Sequence, residues 1–200
     1  YFNNYNIIVY DLIGHGKSPL NKKKLNMRKF SNQLLNLIDE LKIEKIHLVG
    51  FSLGSLIARD FASLHSERLK SLTIFGTVYN RSEGEKRQVI NRYETMKKNR
   101  VVSKKRALER WFTEEFIKKN PNIYKKIYSM LENNNQKTWL EVYKLFVYHE
   151  DDDISIKQIN TKSLIITGEN DIGSKPRMSE NLSKLIARSE FKIIKKGKHL

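Results

Sequence analysis

Short apolar runs alternate along the chain with longer segments of helical periodicity. Five segments are apolar over most of their length and bounded by polar or glycine-containing turns, which predicts short buried strands: 5–11, 45–50, 69–76, 163–168 and 191–195. Three segments have apolar residues every three or four positions, which predicts helices: 27–41, 53–64 and 177–187. Strands that alternate with helices favour a mostly parallel sheet covered on both faces. The predicted fold class is therefore α/β.

The middle of the chain breaks this alternation. Residues 81–149 contain no glycine after Gly84 and hold ten of the twenty aromatic residues, among them Trp111 and Trp139. Several amphipathic helices fit this composition best. We therefore expect a helical cap, residues 81–153, inserted over one end of a core formed by residues 1–80 and 154–200.

Composition excludes several kinds of chemistry. The 200 residues are enough for one domain with a sizeable core. Cysteine is absent, which excludes disulfides, a thiolate nucleophile and cysteine-based metal sites, and fits a reducing compartment such as the cytoplasm. No run approaches the roughly 20 apolar residues of a membrane-spanning helix, so no membrane partner is expected.

The chain is strongly basic. Its formal net charge is +16, from 38 Lys plus Arg against 22 Asp plus Glu. Such a charge is compatible with nucleic-acid binding, which strongly salt-dependent retention on DNA would support. Against it, the positive residues are scattered, no nucleic-acid motif is present, and Lys outnumbers Arg. We therefore interpret the charge as solvated surface lysine and expect no nucleic-acid partner.

A serine flanked by glycines follows the predicted strand 45–50. The segment Gly50-Phe51-Ser52-Leu53-Gly54 matches G-x-S-x-G, in which a tight strand-to-helix turn strains the serine and exposes its hydroxyl. The residues two before and two after the serine crowd each other across the turn, so both positions are expected to need a small residue. Here they are Gly50 and Gly54. The Leu53 N–H, at the start of the next helix, would face a developing oxyanion. The alternative is an ordinary strand-to-helix turn.

A serine nucleophile needs a base, and histidine is the side chain suited to that task near neutral pH. Histidines lie at positions 15, 47, 65, 149 and 199. His199 follows the last predicted strand, and catalytic groups gather in loops after the carboxyl ends of parallel strands. We predict His199 as the base. His15, in the glycine-containing loop after the first predicted strand, is placed at the rim of the pocket.

The chain order Ser, then Asp or Glu, then His requires an acid between Ser52 and His199. Asp171 fits because it lies just past the predicted strand 163–168, whereas Glu169 would leave the strand end too early. The carboxylate would hold the imidazole tautomer and stabilise the imidazolium. We interpret the acidic run 151–153 as a solvated linker rather than a metal site, since consecutive carboxylates point in different directions.

Together these motifs resemble the α/β-hydrolase superfamily, and within it the small esterases, enol-lactonases and cofactor-free haloperoxidase-like enzymes. Four segments carry the resemblance, in matching order and spacing: Asp11 to Ser18, Gly50 to Gly54, Gly168 to Pro176 and Gly197 to His199. The resemblance implies a serine hydrolase that cleaves a small carboxylic ester or lactone and needs no cofactor or metal. The expected substrate pocket contains His15, Phe51, Trp111 and Trp139.

Three departures from the family pattern modify this expectation. Ser55 replaces a second glycine after the elbow, the family's final helix does not follow His199, and the first three strands and the second oxyanion donor do not precede Tyr1. We therefore expect an N-terminally truncated member that is nearly inactive alone. Its segment 6–11 would pair with strand 45–49 or lie at the sheet edge. Alternatives are an amide or C–C bond hydrolase on the same scaffold, or a non-catalytic ligand-binding relative.

Overall fold

Four parallel strands form the sheet of the described structure, a computed structural model that covers residues 3–20 and 25–200, without the side chains of residues 100–103. The strands lie side by side in chain order: β1 (Ile46–Phe51), β2 (Leu69–Phe75), β3 (Ser163–Gly168) and β4 (Ser189–Ile194). Four of the five predicted strands are thereby confirmed, as is the α/β fold class with a parallel sheet.

Helices cover the sheet and occupy the middle of the chain. Their bounds are α1 (Met27–Glu40), α2 (Leu53–Leu64), α3 (Glu83–Lys98), α4 (Arg100–Trp111), α5 (Glu114–Lys119), α6 (Pro121–Asn133), α7 (Gln136–Val147), α8 (Asp153–Lys157) and α9 (Pro176–Leu185). The predicted helices 27–41, 53–64 and 177–187 correspond to α1, α2 and α9. Among the described helices, none combines the length and the apolar character needed to cross a membrane.

Local sequence explains where the helices begin and which faces they bury. The Asn26 side chain accepts a hydrogen bond from the Lys29 N–H and caps α1. Phe30, Leu34 and Ile38, spaced four residues apart, are buried and form the apolar stripe of that helix. This stripe anchors α1 against the core formed by α2 and the sheet.

Six described helices, α3 to α8, lie between β2 and β3. The first five, α3 to α7, correspond to the aromatic-rich segment, and we call them the inserted helices. A capping box starts the first of them: Ser82 accepts from the Glu85 N–H, and the Glu85 carboxylate accepts from the Ser82 N–H. Val89 and Tyr93 of α3 pack with Val147 of α7 in a separate apolar cluster. The inserted helices therefore have a small core of their own.

The prediction that residues 5–11 form a buried strand is wrong. The described residues of this segment form no ladder with β1, and Val9 is 88% exposed. The segment ends in a loop held by Asp11, whose carboxylate accepts from the Lys17 N–H and whose carbonyl accepts from Ser18 Oγ. An apolar run shows that a segment tends to be extended, but it does not supply a hydrogen-bonding neighbour.

A buried ion pair connects the inserted helices to α2. Arg59, whose side chain is 5% exposed, places Nη2 2.8 Å from Asp151 Oδ1 and donates through Nη1 to the Val78 carbonyl. The other carboxylate oxygen of Asp151 accepts from the Asn80 N–H at 2.8 Å. Arg59 and Asp151 thereby fix the two chain segments that enter and leave the inserted helices.

The acidic run 151–153 is therefore not a solvated linker, and that interpretation is wrong. Asp151 lies in the ion pair with Arg59, Asp152 caps α8 by accepting from the Ile154 N–H, and Asp153 accepts from the Tyr79 hydroxyl. The three carboxylates do point in different directions, but each one has a structural partner. Sequence alone does not show the partners of Asp151 and Asp153, because these partners lie far away along the chain.

The pKa of Asp151 reflects this environment. Burial on its own would raise the pKa of the carboxyl, but the His149 imidazole, the Arg59 guanidinium and the Asn80 N–H outweigh burial and hold the pKa well below its ordinary value of 3.8. A lowered carboxyl pKa contributes stability that is fully present above the unfolded-state pKa. This stability is lost as the pH falls through the folded-state pKa.

We expect Asp151→Asn to lower the free energy of unfolding at pH 7 by about 3 kcal/mol, because it leaves the buried Arg59 guanidinium without its counter-charge. The variant should also lose less stability than the parent protein when the pH falls below about 4. Urea unfolding followed by circular dichroism at pH 3 to 7 measures both effects. Glu150→Gln, which removes an exposed neighbouring charge, is the control. Equal losses in both variants would contradict a specific role for the ion pair.

Candidate active site

Ser52 occupies a strained turn between β1 and α2. Its backbone has φ 53° and ψ −116°, a combination that L residues rarely adopt. The turn is held from both sides, since the Ser52 N–H donates to the Phe75 carbonyl at 2.9 Å and the Ser52 carbonyl accepts from the Ser55 N–H at 2.9 Å. This arrangement holds the hydroxyl at the carboxyl edge of the sheet.

The two glycines of the motif are not equivalent. A Cβ added at Gly50 would collide with the Gly54 carbonyl and lie 2.6 Å from Ala58 Cβ. A Cβ added at Gly54 would meet no heavy atom within 4 Å. The expectation that both positions must be small is therefore wrong for Gly54. The crowding falls on Gly50 alone, because α2 directs the Cβ position of Gly54 into open space.

His199 lies between Ser52 and Asp171. Its Nε2 is 3.1 Å from Ser52 Oγ, and its Nδ1 is 2.6 Å from Asp171 Oδ2. The Asp171 side chain is only 2% exposed and that of His199 is 12% exposed. A carboxylate on Nδ1 favours the tautomer with hydrogen on that atom, which leaves the Nε2 lone pair directed at the serine. The three predicted catalytic residues are thus brought together.

The carboxylate of Asp171 is fixed by more than the imidazole. Its second oxygen, Oδ1, accepts from the backbone N–H groups of Gly173 at 2.9 Å and Ser174 at 2.8 Å. These bonds leave Oδ2 to His199 and prevent the carboxylate from rotating away. Charge-assisted hydrogen bonds of this kind are roughly twice as strong as neutral ones.

The acid loop and the histidine loop are held together through their backbones. The Asn170 N–H donates to the Gly197 carbonyl at 2.8 Å, and the Glu169 carboxylate accepts from the Lys196 N–H at 2.8 Å. A Cβ at Gly168 would collide with the Lys198 carbonyl, so only glycine permits this approach. Glu169, the rejected acid candidate, thus joins the two loops and does not reach the imidazole.

Aromatic rings surround the imidazole of His199. The ring centre of Phe51 lies 4.9 Å away and that of Trp111 lies 6.4 Å away. Trp111 and Trp139 line the cavity above Ser52, as expected from the sequence, whereas Phe51 packs on His199 and Phe75 and does not line it. Leu53, expected to supply an oxyanion N–H, is the first residue of α2, so that N–H has no acceptor within the helix.

His15 is not brought into the cavity, so its placement at the pocket rim is corrected. It is absent from the described residues that line the cavity, and its Nδ1 lies 3.4 Å from the Ile13 carbonyl. Its loop packs on the side of the inserted helices, where a Cβ at Gly14 would lie 2.9 Å from Val142. The glycines of that loop gave no information about the direction in which His15 would point.

The cavity encloses about 990 Å³, part of it open to solvent, between the inserted helices and the carboxyl edge of the sheet. Sequence reasoning missed three cationic residues in its wall: Arg92, Lys104 and Arg110. One signal was present, since Arg92 lies four positions before the buried Met96 and so shares its helix face. Within the described ranges, no cluster of three or more acidic or histidine side chains could hold a metal ion.

Comparison with known proteins agrees with the α/β fold. The family model described as alpha/beta hydrolase fold matches residues 1–200. The (E)-2-((N-methylformamido)methylene)succinate hydrolase of Acinetobacter baylyi (strain ATCC 33305 / BD413 / ADP1) is 25% identical over 201 residues, which cover 98% of this chain and 74% of the relative. The 3-oxoadipate enol-lactonase 1 of the same organism is 24% identical over 191 residues, 95% of this chain and 70% of the relative.

A solved structure shows the same fold. The enol-lactonase from Burkholderia xenovorans LB400 superposes with a TM-score of 0.84 and 21% sequence identity, over 95% of this chain and 72% of that chain. At this identity the likeness concerns the fold, including the parallel sheet and its flanking helices.

The unequal glycines of the elbow give a stability prediction. We expect Gly50→Ala to lower the free energy of unfolding by about 1–3 kcal/mol, the usual range for overpacking. Gly54→Ala should leave it unchanged or raise it by about 0.5–1 kcal/mol, because alanine is the better helix former and its methyl group meets open space. Urea unfolding of the two variants tests this difference. Equal destabilisation would show that both positions are crowded.

Proposed function

The chain belongs to the α/β-hydrolase fold family, and on that premise we propose that it is a serine hydrolase that cleaves a small carboxylic ester or lactone. The observation that carries the proposal is the continuous hydrogen-bonded series from Asp171 through His199 to Ser52, at 2.6 and 3.1 Å. Nucleophile, base and orienting acid are all within hydrogen-bonding reach, which is the geometry required of an activated serine.

In the proposed reaction, Ser52 Oγ attacks the substrate carbonyl carbon while His199 Nε2 takes the hydroxyl proton. The tetrahedral intermediate collapses, the alcohol leaves with the proton from His199, and an acyl-enzyme remains. Water then attacks the acyl carbonyl, with its proton passing to His199. Collapse of this second tetrahedral intermediate releases the carboxylic acid, and His199 returns the proton to Ser52 Oγ. Asp171 stabilises the imidazolium that forms in each half-reaction without taking its proton.

The strained turn assists the same chemistry. Because Ser52 lies immediately before α2, the N–H of Leu53 and the positive end of the helix dipole lie next to the developing oxyanion. A single oxyanion-hole donor is worth about 10²–10³ in kcat. Leu53 acts through its backbone, so its side chain is free to pack against Phe30 and Ile57.

The relatives support hydrolysis as the reaction type. Two of them are named as a hydrolase and a lactonase, and both align over nearly the whole of this chain. An amide is the second candidate bond, since the first of these relatives is named for a compound with an N-methylformamido group. A non-catalytic ligand-binding role fits poorly with an intact triad. The cytoplasmic location and the absence of a nucleic-acid partner stay predictions.

In the full-length protein, we expect Ser52→Ala to lower kcat for a 4-nitrophenyl ester by about 10⁴-fold or more, since the nucleophile is lost while substrate binding remains. The variant should also no longer react with a fluorophosphonate probe, as read by mass spectrometry of the labelled peptide. Ser63→Ala, which changes a serine at the far end of α2, is the control and should keep both properties. Normal turnover by pure Ser52→Ala protein would refute Ser52 as the nucleophile.

We expect His199→Gln to reduce ester turnover by a similar factor and to abolish the rise in rate that accompanies loss of the imidazole proton. His15→Gln should change kcat and KM less than about twofold, because surface substitutions away from a site have small effects. Rates measured from pH 5 to 9 for both variants decide between the two histidines. Loss of activity in His15→Gln alone would reverse the assignment.

A further inference from the structure

Positive side chains outnumber negative ones in the described lining of the cavity above Ser52. Among its described lining residues, three are cationic, Arg92 from α3 and Lys104 and Arg110 from α4. The single carboxylate in that lining, Asp171, is fully engaged by His199 and two backbone N–H groups. None of the three cations takes part in the proposed catalytic steps. We therefore consider whether they bind part of the substrate.

Two of the three cations, Arg92 and Arg110, form no ion pair with the described residues. Lys104 Nζ lies 3.6 Å from Glu132 Oε1, so its charge is partly balanced. No carboxylate of the described residues lies within ion-pair distance of Arg92 or Arg110. Arg110 uses only Nη1 internally, where it donates to the Arg106 carbonyl at 2.9 Å.

Arg92 and Arg110 line the same cavity, so their positive charges act on each other. Burial lowers the pKa of Arg110, and the nearby charge of Arg92 lowers that pKa further. Two like charges held together in a partly buried cavity destabilise the empty protein. An anion between them would remove this cost and accept the free N–H donors of both side chains.

The remaining wall fits an organic anion better than an inorganic one. Trp139 and Tyr143 stack with ring centres 5.0 Å apart, and both line the cavity together with Phe146. These rings can pack against a hydrocarbon segment placed between a carbonyl at Ser52 and an anionic group at the arginines. Guanidinium groups match the planar geometry of a carboxylate through paired hydrogen bonds.

We propose that the substrate carries, in addition to the carbonyl attacked by Ser52, a carboxylate that binds between Arg92 and Arg110. The inference rests on the proposed serine hydrolase function and adds the substrate class: half-esters or lactones of small dicarboxylic acids. Arg92 and Arg110 are thereby specificity-determining residues on the inserted helices.

The test compares two esters that differ only in charge at the far end. The mono-4-nitrophenyl ester of adipic acid ends in a carboxylate, and 4-nitrophenyl 6-methylheptanoate ends in an isopropyl group of similar shape. We expect kcat/KM for the adipate half-ester to exceed that for the neutral ester by at least about tenfold, the effect of one charge-assisted hydrogen bond.

Arg92→Met and Arg110→Met should each lower kcat/KM for the half-ester by about tenfold to hundredfold, the range for losing a hydrogen bond to a charged group. The selectivity, which is the ratio of kcat/KM for the half-ester to kcat/KM for the neutral ester, should fall by about tenfold or more. Arg87→Met is the matched control, because Arg87 lies on α3 with the same charge but is exposed outside the cavity. It should leave both substrates unaffected, whereas equal losses on both esters in the arginine variants would overturn the inference.

A binding measurement tests the carboxylate site separately from the proposed serine hydrolase activity. Adipate should quench the fluorescence of Trp111 and Trp139 in Ser52→Ala protein, which cannot turn over, and Arg92→Met should remove the quenching. Failure of Ser52 to react with a fluorophosphonate would refute the hydrolase proposal, while adipate quenching would still report on the carboxylate site. Labelling of Ser52 without adipate binding, and without preference for the half-ester, would overturn the carboxylate site alone.

Discussion

The structure depends on the register of four parallel strands whose carboxyl ends lie along one edge of the sheet, with β3 and β4 running two residues beyond β1 and β2. Phe51 of β1 pairs with Phe75, Phe75 pairs with Ile166, and Gly168 pairs with Ile194. Because neighbouring strands end at the same edge, the loops that follow them must meet. Ser52 comes directly after β1, Asp171 shortly after β3, and His199 shortly after β4, so residues far apart in sequence lie within hydrogen-bonding distance. A shift of one strand by a single pair would separate them.

Sequence predicts this part of the molecule well because its signals are local. Ser52 is identified by a turn that only certain neighbours permit, and Asp171 and His199 by their places after apolar strands. The same reasoning fails for segment 5–11, for Asp151 and for His15, because the position of each depends on tertiary packing that the local sequence does not show. An apolar run does not indicate which strand it pairs with, and a carboxylate does not indicate which arginine it binds. The sequence of a loop does not indicate the direction of its side chains.

The inserted helices illustrate the same limit for substrate recognition. Their aromatic residues are plain in the sequence and predict an apolar pocket, which Trp139 and Tyr143 do form. Arg92 and Arg110 are hidden among many other basic residues, most of them solvated. What distinguishes these two is that both line the cavity and that neither forms an ion pair with the residues that the structure describes. That combination becomes visible only when helices α3 and α4 are placed over the sheet.

The ion pair between Arg59 and Asp151 also bears on how such a protein diversifies. Asn80 and Asp151 are hydrogen-bonded to each other, so the polypeptide leaves the sheet layer and returns to it at one point. Each doubling of the length of such a closed excursion adds only about 0.6 kcal/mol of loop-closure entropy. The excursion can therefore be lengthened, shortened or exchanged in evolution while its base stays fixed. The walls of the cavity can thus change in sequence and size without moving the loops that carry Ser52, Asp171 and His199.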